Sequence, residues 1–313
     1  MTANLHHGKR LQAMSNNDST SIDDPSIKTP LSHNTTLGAV CISGSDRLNF
    51  LQGQLTQDVA NLKSGTPLLA GWANAKGRLL CVTWLFEWQD QVWLIMPAEL
   101  CAGVARRLSM FVLRTDAGIT VSEHMLLPTD RQAAIDLIKP DDIDVSICFY
   151  SDNYFYFEIS SGAGLLLGST KEAADMADWR LTCIRAGLPL VWPATAESFV
   201  PQMLNLDLLN GISFTKGCYV GQEIVARTQN LGKIKRRMYG FTSELANSCN
   251  PGDSVYSDGK HSGEVVDAVC TGSQNELLAV VKIETLGAVL SLDQTGKDAL
   301  TRRQLPYEIP ESL

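Results

Sequence analysis

No two cysteines in the 313-residue sequence stand at C-x-x-C spacing, although there are eight: Cys41, Cys81, Cys101, Cys148, Cys183, Cys218, Cys249 and Cys270. That scatter argues against a zinc knuckle, a thioredoxin-type site and a compact disulfide framework. Most lie in apolar runs such as Val40-Cys41-Ile42, where cysteine packs as a small hydrophobe, and the expected setting is a reducing cytosol. No run of about 18 apolar residues occurs, so no transmembrane helix and no membrane partner are expected. Residues 1–33 lack the apolar run of a signal peptide and read as a flexible polar tail. His6 and His7 fall in that tail and read as exposed, so no metal site is expected. Basic charge is scarce, with 26 Lys and Arg against 34 Asp and Glu and a net charge of -8. This excludes a globally basic nucleic-acid binder but leaves room for a local basic face. The charged fraction of 19% beside an apolar fraction of 44% excludes a disordered or collagen-like chain. No strong internal repeat is present.

What is present is a succession of short elements, and the length allows two domains or three small ones. Residues 37–42 read as a strand. Leu48, Leu51, Leu55 and Val59 form the stripe of one amphipathic helix, capped by Ser45 or Asp46. Residues 79–88 and 92–96 read as a hairpin around Gln89-Asp90, followed by a helix at 99–113 and a strand at 118–122. A similar unit follows: a helix at 131–138, strands at 144–150 and 154–160, and a helix from Lys171 that stops at Gly187. Residues 190–213 are loop-rich. Beyond about Arg237 the pattern changes to short strands with turns at Pro251-Gly252 and Asp258-Gly259. The expected organisation is α+β: a first lobe at 34–125, a second at 126–232, and a β-barrel domain at 233–313.

One segment carries more information than the rest: Lys216-Gly217-Cys218-Tyr219-Val220-Gly221-Gln222-Glu223. A helix read from Tyr219 to Gln229 would place Cys218 at a helix N-terminus beside a lysine. Both the helix dipole and the ammonium would favour thiolate there. The same context also suits a small residue at a crowded turn.

This octet resembles the signature of the YgfZ family, folate-binding proteins related to the aminomethyltransferase (T-protein) of the glycine cleavage system. Other segments agree in order: Phe50-Leu51-Gln52-Gly53-Gln54-Leu55-Thr56 with Asp58, Ala75-Lys76-Gly77-Arg78, Arg185-Ala186-Gly187-Leu188-Pro189, and Phe199-Val200-Pro201-Gln202 with Asn205-Leu206. Together they span about 37–227. The resemblance implies a three-lobed ring, with two ferredoxin-like lobes and a C-terminal barrel, binding tetrahydrofolate or a derivative in its central opening. It implies a role in assembling or repairing iron–sulfur enzymes, among them a tRNA methylthiotransferase, and thereby in tRNA modification. Lys216 and Cys218 would be the chemical pair. Leu37, Trp179, Arg185, Gln202, Asn205, Tyr219, Gln222, Glu223 and Arg227 would be the cofactor-binding set.

Several of these residues have plainer readings. Trp179 could be core, and Gln202 and Asn205 could stabilise their loop rather than read pterin edges. Two positions depart from the family pattern. Relatives commonly carry a glutamate where Arg185 stands, and a guanidinium cannot accept hydrogen bonds from a pterin. Leu37 stands where relatives can have an aromatic contact. The alternative activity implied is a folate-dependent aminomethyltransferase, yet the only nearby aspartates, Asp58 and Asp116, read as caps or surface charges. Finally, Arg227, Lys233, Lys235, Arg236 and Arg237 form a basic stripe free of acidic residues. It could meet a folate tail, an acidic partner or an RNA backbone, or simply be a solvated connector.

Overall fold

The computed structural model describes residues 36–62, 67–140, 148–168, 176–230, 233–244 and 249–310. The expected tail at 1–33, residues 144–147 of the expected strand and 171–175 of the expected helix lie outside the described residues. The chain forms β1 (Leu37–Ser43), α1 (Arg47–Gln52), β2 (Leu68–Ala73), β3 (Leu79–Trp88), β4 (Gln91–Pro97), α2 (Ala98–Ser109) and β5 (Gly118–Val121). These strands make an antiparallel sheet in the order β2-β3-β4-β1-β5. Gln89 and Asp90 both take positive φ, as a two-residue hairpin loop requires. Strand β3 reads as an almost unbroken apolar run because both faces of the sheet are covered. Leu51, Leu94, Val104 and Leu108 join α1 and α2 to one face, and Trp84, Phe86 and Trp88 meet the second lobe on the other.

The expected helix over Leu48–Val59 is shorter than its periodicity suggests. Helix α1 ends at Gln52, and Val59–Asn61 forms a separate 3₁₀ turn. The chain turns because its hydrogen bonds run outward: Thr56 N donates to Gly71 O at 2.9 Å, and Leu55 bridges to Trp72. The Gln52 carboxamide holds the turn, accepting from Val59 N and donating to Asp58, both at 2.8 Å. Leu51, Leu55 and Val59 are buried all the same. The capping expectation is also corrected. Ser45 N and Oγ both donate to the Asp116 carboxylate at 2.8 Å, and the Asp46 carboxylate accepts from Asp116 N at 2.9 Å. They clamp the approach to β5 rather than cap α1.

The second lobe contains β6 (Met125–Pro128), α3 (Arg131–Ile138), β7 (Cys148–Tyr150), β8 (Tyr154–Glu158), β9 (Gly164–Gly168) and α4 (Ala177–Ala186). Its sheet is antiparallel in the order β6-β9-β8-β7. Gly187 ends α4 with φ +70, the left-handed stop expected there. The two lobes meet through aromatic rings: Phe86 stacks on Phe155 at 4.0 Å, and Trp84 meets Trp179 edge-on at 6.2 Å.

After α5 (Gln222–Asn230) come β10 (Arg236–Ser243), β11 (Ser254–Ser257), β12 (Lys260–Cys270), β13 (Asn275–Lys282), β14 (Leu290–Ser291) and β15 (Ala299–Arg303). They close into a six-stranded barrel in the order β10-β13-β12-β11-β14-β15. A shared core of Leu79, Val82, Ile184, Leu204, Val225, Met238 and Val280 joins the barrel to both lobes. The molecule is thus the three-lobed α+β assembly that the element pattern and the resemblance implied.

Candidate functional site

The octet at 216–223 does not begin as a helix. Helix α5 starts at Gln222, because Gly221 takes φ +82 and Val220 N donates to Gly53 O at 3.2 Å in the first lobe. Cys218 therefore stands in a loop four residues ahead of α5, not at a helix N-terminus, and its thiol is exposed. Lys216 is also placed differently from the expected thiolate partner. Its ammonium donates to three carbonyls of the first lobe: Gln52 at 2.6 Å, Gln57 at 2.8 Å and Leu55 at 2.9 Å. An ammonium has only three N–H groups, so all are taken. The ammonium also lies 5.2 Å from the centre of the Tyr219 ring, itself buried. Burial pulls Lys216 down to about 8, with the charge of Asp58 opposing the shift.

Three segments far apart in sequence meet around this loop. Thr56 Oγ1 donates to Gly211 O at 2.6 Å and accepts from Gly71 N at 2.7 Å. The Gln57 amide donates to Asn210 O. A Cβ on Gly221 would come within 2.5 Å of Asn74 O, and one on Gly77 within 2.8 Å of the Ile224 Cβ. The turn at 75–78 and the start of α5 can therefore touch only through two glycines. Gln222, Glu223 and Arg227 lie on α5; Glu223 and Arg227 are exposed, and the Gln222 amide is 3.5 Å from Gly217 O.

The residues matched to the family's central region are buried. Leu37 and Trp179 belong to the inter-lobe core. Gln202 and Asn205 have no exposed surface. Gln202 Nε2 donates to Val225 O at 2.7 Å and Asn205 Nδ2 to Met238 O at 2.8 Å. These amide groups stitch the loop to α5 and β10. Chemically the region divides in its fit to tetrahydrofolate. The indole N–H groups of Trp179 and Trp192 and the Oε1 of Gln202 are buried without a protein partner, and a pterin edge could satisfy such orphaned donors and acceptor. Arg185 offers no acceptor.

Arg185 instead grips Glu276 on β13, with Nε 3.0 Å and Nη2 2.5 Å from the two carboxylate oxygens. This hydrogen bonding lowers the Glu276 carboxyl below its ordinary value. Arg303 completes the joint, donating to Ile184 O at 2.8 Å and Arg185 O at 3.1 Å at the end of α4. A second ion pair, Arg180 with Asp267, ties α4 to β12. The basic stripe needs correction as well. Arg237 is 2% exposed and pairs with Asp207 through two bonds of 2.9 and 2.7 Å. Arg227, Lys233 and Lys235 remain exposed and Arg236 is half-buried.

Sequence reasoning missed Trp192, Asp207, Glu276 and Arg303. Glu276 did leave a signal, as a lone carboxylate in the strand sequence Asn275-Glu276-Leu277-Leu278. Asp58 caps the 3₁₀ turn by accepting from Ala60 N at 3.1 Å. Among the described residues, no three His, Cys, Asp or Glu side chains converge as metal ligands, and no helix is long and apolar enough to cross a membrane.

No family model matches the sequence. The chain is 31% identical over 226 residues to the tRNA-modifying protein YgfZ of Colwellia psychrerythraea, an alignment covering 66% of this chain and 70% of that protein. It is 26% identical over 302 residues to the protein of the same name from Yersinia enterocolitica, covering 87% and 90%. The glycine cleavage system aminomethyltransferase T of Bartonella henselae has the same fold, with a TM-score of 0.63 at 15% identity over 88% of this chain and 84% of that one. At 31% identity to a protein of which it covers 70%, the chain belongs to the YgfZ family.

Proposed function

We propose that this protein acts in tRNA modification as an accessory to iron–sulfur enzymes of the tRNA methylthiotransferase class, binding tetrahydrofolate or a derivative and presenting Cys218 as its reacting group. The name shared by its relatives supports the tRNA-modifying role. The observation that carries the reading is the mounting of Cys218: an exposed thiol between a lysine fixed by three carbonyls and a buried tyrosine. Such a mount ties the residues on either side of the thiol to the first lobe while leaving the thiol itself exposed to a client protein. In this role Cys218 passes or protects a thiol-linked or one-carbon species, and Lys216 and Tyr219 position it. Folate, when bound, supplies a one-carbon carrier, and Trp179, Trp192 and Gln202 would meet its pterin through their orphaned polar atoms. The eight free thiols suit the reducing cytosol that this role requires.

The aminomethyltransferase alternative rests on the shared fold alone. Complementation tests the first reading: in a strain lacking the protein, Cys218→Ser should fail to restore methylthio-modified tRNA. Full restoration would eliminate the thiol role. A calorimetric titration showing no tetrahydrofolate binding would remove the cofactor. Methylene transfer from a lipoyl-linked aminomethyl donor would establish the alternative instead.

A further inference from the structure

The first-lobe sheet is covered at one edge and open at the other. Its β2 edge is closed by the chain after α1, where Thr56 N bonds to Gly71 O and Leu55 bridges to Trp72. Its other edge is β5, which pairs only with β1. Ser122 N donates to Ala39 O at 2.9 Å. In the antiparallel alternation Gly118 and Thr120 therefore also turn their backbone groups to β1, and Ile119 and Val121 turn theirs outward. Those outward groups have no partner among the described residues. Exposed edges are commonly blunted by a charge, a proline or a bulge, and Gly118-Ile119-Thr120-Val121 has none of these. The edge is also held in place: Asp46 N donates to Asp116 O at 3.0 Å, an oxygen that a Cβ on Gly44 would strike.

An apolar and basic tip lies at the head of this edge. Helix α2 packs across β5, and the chain between them exposes Met110, Phe111 and Leu113, the last by 86%. One apolar residue on a surface needs no account, but three within four positions mark an interaction surface. Arg106, Arg107 and Arg114 flank them, and residues 103–115 contain no Asp or Glu, on a chain of net charge -8. Arg107 pairs with Glu197 at 2.9 Å, and the Asp116 carboxylate is engaged by Ser45. Arg106 and Arg114 are exposed and make no ion pair or hydrogen bond among the described residues.

We infer that the β5 edge and the α2 tip together form a docking surface for an extended acidic segment of a partner protein, which adds to the sheet as a strand beside β5. Its backbone meets the outward groups of Ile119 and Val121, the general mode of strand addition. Its apolar side chains cover the tip and Val121, which is 47% exposed. Its carboxylates lie at the Gly118 end, where Arg106 and Arg114 complement them and away from Glu123 at the far end. A lipid surface or an RNA offers anions but no ladder of alternating donors and acceptors. A second copy joined face to face would set these arginines against their equivalents. The inference rests on neither folate nor Cys218.

The probe is a labelled peptide of alternating Val and Thr that ends in a run of Glu, titrated with the full chain by fluorescence anisotropy. It should bind at submillimolar concentration. Exchanging the Glu run for Lys should weaken binding about tenfold. Methylating alternate amide nitrogens of the peptide, which removes donors and leaves the side chains alone, should abolish it. Val121→Pro deletes one outward N–H, a change that an edge strand tolerates, and should weaken binding about three- to tenfold. Arg114→Glu should weaken it about tenfold. Neither variant touches the β1–β5 ladder or the core, so the unfolding midpoint should move little. The inference is overturned if the peptide does not bind at millimolar concentration, or if the methylated peptide or both variants bind like their parents. It is also overturned if Arg114→Glu weakens binding only to phosphatidylglycerol vesicles, to tRNA, or to a second copy in sedimentation. None of these outcomes bears on complementation by Cys218→Ser, so the two readings fail separately.

Discussion

Replacing Arg237 by methionine removes the cation that joins the central loop to the barrel. Arg237 is 2% exposed and the side chain of its partner Asp207 is 6% exposed. One guanidinium makes two charge-assisted bonds to Asp207, at 2.9 and 2.7 Å, and two more to Gln202 O at 3.1 Å and Asn205 Oδ1 at 3.2 Å. Without it, a buried carboxylate loses its counter-charge and Asn205 Oδ1 loses its donor. Breaking a buried pair in this way costs roughly 3–5 kcal/mol. Asp207→Leu should cost a similar amount, because it strands the guanidinium. The double variant Arg237→Met/Asp207→Leu should cost far less than the sum, since no buried charge is left unpaired. Urea unfolding followed by tryptophan fluorescence measures all three free energies. A cost below about 1 kcal/mol for Arg237→Met, or strict additivity in the double variant, would refute the reasoning. The same variant should leave the salt dependence of any polyanion binding unchanged, because Arg237 is not on the surface.

Three further predictions concern the thiols, the lysine and the α4–barrel joint. Iodoacetamide on the native protein should alkylate Cys218 and Cys270, the two exposed thiols, well before Cys41 and Cys81, which burial pushes up to about 12. Peptide mass mapping checks the order, and comparable rates at Cys81 would contradict the burial. Lys216 at about 8 in the folded chain releases its proton earlier than the unfolded value of 10.5 allows. Its charged form therefore disfavours folding below about 8, and that cost is relieved between about 8 and 10.5 as pH rises. The gain in unfolding free energy from pH 7.5 to 9.5 should be smaller in Lys216→Met than in the wild type. Arg185→Glu would set a second carboxylate against Glu276 and should destabilise the protein by about 1–2 kcal/mol, a modest figure because Arg185 is half exposed. The exchange Arg185→Glu/Glu276→Arg should recover most of that loss in chemical denaturation.

Much of the fold was legible because its signals are local. The Gln89-Asp90 hairpin and the stop at Gly187 each lie within a few residues of the backbone they shape. The errors share the opposite cause. Spacings of three and four at Leu48, Leu51, Leu55 and Val59 fit one helix, but they fit a short helix and a turn equally well, and bonds to β2 chose the second. Helix α5 begins late because Gly221 must approach Asn74, a contact across most of two lobes. The octet could be recognised in the sequence, yet nothing in it announced that Lys216 would bond to carbonyls near position 55. Likewise Arg237 looked like one more surface charge until Asp207, 30 residues earlier, supplied its partner. Local patterns fix elements, whereas partners at long range decide which side chains remain available for chemistry.

The lysine at 216 also has a consequence for how the protein is made. Its three acceptors lie about 160 residues earlier in the chain, so a ribosome has synthesised both lobes before the bonds can form. Contacts of such long separation come late, after the entropy of a large loop has been lost. Until then the carbonyls of Gln52, Leu55 and Gln57 face water or a transient partner. A chain misfolded anywhere between those carbonyls and the octet would carry Cys218 on an unanchored loop. The mounted thiol is therefore the mark of a finished molecule, and a client that recognised the mount rather than the bare cysteine would ignore nascent and damaged copies.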